Sequence, residues 1–264
     1  FGEMAAEHLQ GLDTLIIIGS KPPVSFFAYP GKPGWLSPEG SSLLQMGDHG
    51  VDAIDTLTRL ADALGAPSEV TKVAQRVEHA LETGPINAAE LGKVIANRLP
   101  ENAIVSDEGA TNGLGAFLMT GNAAPHDWLT LTGGAIGQGL PLALGAAVAC
   151  PDRKVLALEA DGSAMYTVQA LWTMVREDLD VTVLILNNGS YAILNIELAR
   201  VGVEKPGPTA LSLLDLTNPA IKWTDIAKGM GMAAERVDTV EALDSAMALA
   251  LSLIHISEPT RHLF

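Results

Sequence analysis

Asp161, Gly162 and Ser163 interrupt an otherwise apolar stretch. A second interruption, Asn187-Asn188-Gly189-Ser190-Tyr191, follows, with Asn188 placed 27 positions after Asp161. The Asp161 carboxylate, the Asn188 amide oxygen and the backbone carbonyl of Ser190 make a set of hard oxygen donors. Such donors suit Mg²⁺ or Ca²⁺, and Mg²⁺ with so few protein ligands completes its shell with water and phosphate oxygens. Gly162 lets a ligand approach the backbone. Ser163 opens a helix whose free N–H groups and positive dipole end attract an anion. The chemistry available to this set is to hold a diphosphate through a metal ion.

A strand, a helix and a second strand must position these groups. Residues 155–160 and 181–186 are short apolar runs, each read as a buried strand, and 163–176 between them as a helix. A right-handed crossover makes the strands parallel, so both polar clusters fall at the carboxyl edge of the sheet, where α/β proteins bind ligands. The alternation extends along the chain. Residues 15–19 read as a strand ending in Gly, 51–64 as a helix stopped by Gly65-Ala66-Pro67, and 67–84 as a polar linker with some helical character. Residues 87–99 read as a helix with Asn87 as N-cap and Glu90 completing a capping box. A strand at 103–106, a loop at 107–111, a strand at 128–130, a Gly-rich stretch at 133–139 and a small-residue helix at 140–150 follow. A helix at 221–229, a strand at 233–237 and a helix at 240–250 close the series. The expected fold is α/β, a parallel sheet with helices on both faces, preceded by the end of a second α/β domain in residues 1–66.

The stretch from 155 to 191 resembles the metal–diphosphate motif of thiamine-diphosphate-dependent enzymes, Gly-Asp-Gly followed by Asn-Asn, with Ala160 in place of the first Gly. The resemblance covers roughly residues 85–250. It implies a thiamine-diphosphate-binding fold, with Asp161, Asn188 and the Ser190 carbonyl on Mg²⁺ and Gly162 and Ser163 beside the diphosphate. Tyr191 would flank the diphosphate, and Glu108-Gly109-Ala110-Thr111 would align with the first diphosphate-contacting loop, with Gly109, Ala110 and Thr111 contacting the cofactor. The run 131–141 is similar to the family's loop over the cofactor rings. There the Gly134 carbonyl would accept a bond from the aminopyrimidine, with Ala135 beside it and Ile136 as the wedge that bends the cofactor. Ile193 and Leu194 would face the substrate, a 2-oxo acid; their apolar side chains suit plain core equally well.

Within that family the chain is most similar to the acetolactate-synthase-like and benzoylformate-decarboxylase-like branch. Residues 1–66 would be the end of a middle domain, 67–84 a linker and 85–250 a truncated diphosphate-binding domain. The activating Glu belongs to a domain expected before residue 1, so the chain by itself is expected to be inactive. The run AILNIELARVG after Tyr191 lacks the Met-Val-x-Gln-Trp of biosynthetic acetolactate synthases, and carboligation and simple decarboxylation stay undivided. A catalytically silent cofactor-binding or regulatory paralogue is the alternative. The family places its cofactor between subunits, so a homodimer or homotetramer is implied. FAD binding is left open.

Composition excludes other classes. Sixteen Lys and Arg against 31 Asp and Glu give a formal charge of −15, which repels nucleic-acid backbones. Apolar runs fall short of a membrane span, so no membrane partner is expected. The single Cys150 permits no internal disulfide, fits a cytoplasmic protein and reads as a buried hydrophobe. Gly229-Met230-Gly231-Met232-Ala233-Ala234 matches a dinucleotide pattern but follows a helix, and so reads as a helix C-cap. His8, His49, His126 and His255 are scattered and suggest no zinc site. Glu159, Asp178 and Asp180 read as structural. Residues 251–261, LSLIHISEPTR, resemble the translation of a sequencing-library adapter, and 251–264 are expected to be a non-native tail.

Overall fold

The computed structural model describes residues 2–47 and 50–252, and the backbone of 262–263. The chain forms two compact units, Phe1–Val73 and Ala74–Phe264.

In the first unit, helix α1 (Gly2–Leu9) precedes strand β1 (Thr14–Ile17), which pairs in parallel with β2 (Ser42–Gln45), and helix α2 (Ala53–Ala63) follows. Asp52 starts α2 by accepting from the N–H groups of Ile54 and Asp55. The apolar spacing over 51–64 thus marks a helix, yet Ile54 and Leu64 are 78% and 75% exposed. Ile17 and Leu36 are this unit's buried hydrophobic residues among those described.

The second unit holds the main core. The linker 67–84 lacks the helical character expected of it, and residues 74–87 run without a helix. They lead into α3 (Ala88–Arg98), β3 (Ile104–Glu108), α4 (Ala110–Thr120) and β4 (Asp127–Thr130). A single 3-10 turn (Thr132–Gly134) precedes α5 (Gly139–Ala149) and β5 (Val155–Ala160). Next come α6 (Asp161–Ala164), α7 (Ala170–Arg176), β6 (Val181–Leu186), α8 (Ala192–Arg200) and α9 (Pro208–Ser212). The unit closes with α10 (Trp223–Gly229), β7 (Ala233–Ala234), α11 (Val240–Ala250) and β8 (His262–Leu263). The sheet order is β4-β3-β5-β6-β8-β7, and every pair is parallel.

Strand side chains alternate between two cores. Leu156 and Leu158 join Val94, Ile95 and Met247 on the face covered by α3 and α11. Val155 and Ala157 join Leu140, Leu171 and Met174 on the face covered by α5 and α7. Burial on both faces explains why β5 and β6 read as continuous apolar runs. Among the described residues no helix is long and apolar enough to cross a membrane.

Several local expectations are corrected. Residues 107–111 are not a loop: β3 continues through Glu108 and α4 begins at Ala110. The helix expected over 163–176 is two helices. Tyr166 and Thr167 donate their N–H groups three residues back, to Ser163 and Ala164, which tightens the turn and breaks the helix. The strand expected at 233–237 is two residues long. Asn87 caps α3 as expected, but Glu90 does not close the box. Its oxygens instead take the Glu82 N–H at 2.9 Å and the Lys93 ammonium at 2.5 Å. Cys150 is half-buried at the end of α5. Gly231 ends α10 with φ +84°, as a C-cap glycine does. Leu251, placed with the tail by sequence, is buried in the core. Residues 253–261 and 264 of that expected tail lie outside the described residues, as does His49, while the backbone of 262–263 pairs between β6 and β7.

Candidate functional site

Strands β3, β5 and β6 lie side by side at the centre of the sheet, and the predicted site residues follow their carboxyl ends, except Gly134, Ala135 and Ile136, which follow β4. Asp161 is 1% exposed. Its Oδ1 accepts from the N–H of Gly162 at 2.9 Å and its Oδ2 from that of Gly189 at 2.7 Å. One carboxylate therefore ties the end of β5 to the loop after β6. Burial pushes the carboxyl up, against the Gly189 and Gly162 amides, which favour the ionised form. A Cβ on Gly162 would lie 2.7 Å from Tyr191 Cδ1, so the Tyr191 ring rests directly on the glycine.

The loop after β6 is laced in place. Gly189 takes φ +66°, and Asn187 Oδ1 accepts its N–H. Asn188 Oδ1 accepts from Ser190 N–H at 3.0 Å, and Ser190 O accepts from Ala192 N–H at 2.8 Å. Leu216 donates to Gly189 O and Tyr191 donates to Leu214 O, while Ser190 and Asp215 form an antiparallel bridge.

The remaining predicted residues lie on separate segments. Gly109 is buried, and a Cβ there would stand 3.1 Å from Leu186 Cδ1 at the end of β6. Ala110, at φ +48°, and Thr111 begin α4. Ser163, in the one-turn helix α6, is buried. Gly133 and Gly134 both take left-handed φ, at +65° and +64°, and the turn they make leaves Gly134, Ala135 and Ile136 exposed. These three are tied to β3 through Gly137 rather than to Asp161. Ile193 and Leu194 sit on α8, 37% and 45% exposed, which removes the plain-core reading within this chain.

Two carboxyls turn out to be buried: Glu108, which the resemblance placed in a diphosphate-contacting loop, and Glu159. Glu108 ends β3, is 1% exposed, and accepts from the N–H groups of both Gly137 and Gly139. Glu159, set aside as structural, is its direct register partner on β5 and is fully buried, with neither oxygen hydrogen-bonded among the described residues. Burial, reinforced by Glu108 and Asp107, pushes Glu159 up to about 9, so it keeps its proton at neutral pH. The available signal for Glu159 was a Glu inside a strand whose other residues are all apolar; Glu108 follows the polar Ser106 and Asp107 and had no such signal.

Residues 107–260 match the family described as thiamine pyrophosphate enzyme, C-terminal TPP binding domain. The chain belongs to the thiamine pyrophosphate enzymes. It is 49% identical over 264 residues, all of this chain, to a Mycobacterium tuberculosis protein provisionally named acetolactate synthase large subunit IlvX, covering 50% of that protein. It is 30% identical over 92% of its length to a benzoylformate decarboxylase of Pseudomonas aeruginosa, covering 47% of it. The structure of a Rhodococcus jostii thiamine diphosphate-dependent 4-hydroxybenzoylformate decarboxylase shares the fold, with a TM-score of 0.75 and 24% identity over 98% of this chain and 49% of that one. The chain thus spans about half the length of the thiamine pyrophosphate enzymes it matches. A thiamine pyrophosphate enzyme's cofactor has a coherent place here: an oriented buried carboxylate, a glycine without room for a side chain, and two glycine-bearing loops along one sheet edge.

Proposed function

We propose that this chain supplies the metal- and diphosphate-binding half of a Mg²⁺-dependent enzyme acting on a small 2-oxo acid, by decarboxylation or acetolactate-synthase-like carboligation. The observation that carries the reading is the buried Asp161 carboxylate held by the amides of Gly162 and Gly189. Asp161, Asn188 and the Ser190 carbonyl would hold Mg²⁺. Gly109, Ala110, Thr111, Gly162, Ser163 and Tyr191 would line the diphosphate, and Gly134, Ala135 and Ile136 the rings. When bound, thiamine diphosphate supplies the electron sink for loss of CO₂ from the 2-oxo acid.

The chain's own residues bind and orient. Asp161 fixes the β6 loop through Gly189, so the Asn188 and Ser190 oxygens are presented on a rigid frame. Ile193 and Leu194 offer an apolar wall on the substrate side. They contribute no acid or base, and this reading assigns the activating carboxylate to another domain, as the family resemblance implies. The working enzyme is read as a cytoplasmic homodimer or homotetramer.

The test is calorimetric titration of thiamine diphosphate, with and without Mg²⁺, into the intact protein that carries this chain. Binding is expected to require Mg²⁺ and to be abolished by Asp161→Ala. Unchanged affinity in that variant refutes the assignment. The 264-residue chain by itself is expected to give no turnover of 2-oxo acids, and turnover without any partner chain overturns that part of the reading.

A further inference from the structure

Gly137 and Gly139 each carry one N–H and one carbonyl, and side chains from distinct segments take all four. Glu108 Oε1 accepts the Gly137 N–H and Glu108 Oε2 the Gly139 N–H. Ser106 Oγ donates to Gly139 O at 2.9 Å, and Thr167 Oγ1 donates to Gly137 O at 2.9 Å. Ser106 and Glu108 lie two residues apart on β3, so their side chains share a face of the sheet. Thr167 lies in the turn between α6 and α7.

The clamp demands glycine at both positions. Gly137 has φ +95°, and a Cβ there would lie 2.8 Å from Tyr166 Cβ. A Cβ on Gly139 would collide with Glu159 Oε1 and approach the Glu108 side chain at 2.8 Å. The loop is held at its other end too. Gln138 Oε1 accepts the Thr132 N–H at 3.1 Å, and Gln138 Nε2 donates to Thr130 O at 3.2 Å. Both ends are anchored, and Gly133–Ile136 stand exposed between them.

We propose that Glu108 is a positioning residue, which with Ser106 and Thr167 clamps the Gly137–Gly139 backbone and so sets the shape of the exposed 133–136 loop for the cofactor. The inference rests on the functional reading above, which gives that loop its ligand. A carboxylate suits the task because it offers two acceptor oxygens in one plane. An amide offers one, and an aliphatic side chain none. A buried carboxylate is tolerated only where such bonds satisfy it. Here the two amides do so, against the burial that pushes Glu108 up.

Hydrogen exchange of the 131–140 segment, followed by mass spectrometry on the full chain, tests the clamp. Thiamine diphosphate titration with Mg²⁺ into the intact protein tests its consequence. Glu108→Gln keeps the shape of the side chain and one acceptor, so a residue that merely packs is silent to it. Loop exchange is expected to rise about tenfold and cofactor affinity to fall about tenfold, the effect of losing one hydrogen bond to a charged group. Exchange in 155–160 should stay unchanged. Thr167→Val, which removes one bond at a half-buried site, keeps the test open should Glu108 variants fail to fold, and is expected to show a smaller rise. Loop exchange equal to wild type in both variants overturns the clamp. A loosened loop with unaltered cofactor affinity overturns the positioning role. A wild-type protein that binds no thiamine diphosphate overturns the functional reading instead, and is told apart because the exchange arm needs no ligand.

Discussion

Glu108 and Glu159 stand opposite one another in register on adjacent parallel strands, both closed to solvent. Two charges cannot share such a place, because each would be stripped of water beside a like charge. The division of roles follows from the partners. Glu108 has two amides and can stay ionised, whereas Glu159 has no hydrogen bond among the described residues and stays neutral.

That neutrality makes Glu159→Gln a stabilising substitution. Its folded value is raised from the ordinary 4.5 to about 9. The unfolded chain releases the proton first, so Glu159 weakens folding progressively as pH rises from about 4.5 to about 9. A neutral amide removes that handicap, worth on the order of a few kcal/mol at neutral pH. Urea unfolding at pH 5 and pH 8 should show a gain that is larger at pH 8. A gain of equal size at both values would mean that Glu159 is ionised in the fold.

Glu90 works in the opposite direction. Its bonds from Lys93 and from the Glu82 N–H hold its carboxyl below the ordinary 4.5. A depressed folded value means the stabilisation is present above the unfolded value and is lost as pH falls through the folded one. Wild type should lose stability over that acid range, and Glu90→Gln should lose less. Parallel acid-unfolding curves for the two proteins would contradict the assignment.

The contact of Tyr191 with Gly162 leaves no room for a methyl group. Gly162→Ala should displace the ring and cost about 1–3 kcal/mol of stability, the usual range for an overpacked site. Denaturant unfolding measures the stability, and Tyr191 ring resonances report the displacement. An alanine variant as stable as wild type, with unchanged resonances, would show that the ring moves freely.

The βαβ unit around Asp161 was legible in the sequence because strands buried on both faces need continuous apolar runs, and polar residues then mark where they end. Asn87 was legible as a cap because its side chain satisfies α3's first amides locally. The family motif likewise needs only residue types at fixed spacing. What proved illegible was the choice of particular side-chain and turn partners. Glu90 looked like half of a capping box until Glu82 and Lys93 came within reach, and the break in the 163–176 helix followed from turn bonding that no periodicity records. Glu108 and Glu159 are 51 positions apart, and only strand register makes them neighbours. The sequence by itself determined the alternation of strands and helices, the carboxyl-edge cluster and the family, all carried by local pattern. The tertiary structure alone decided which carboxyl keeps its proton and which one grips the glycine loop, because both depend on burial and on amides brought in from another segment.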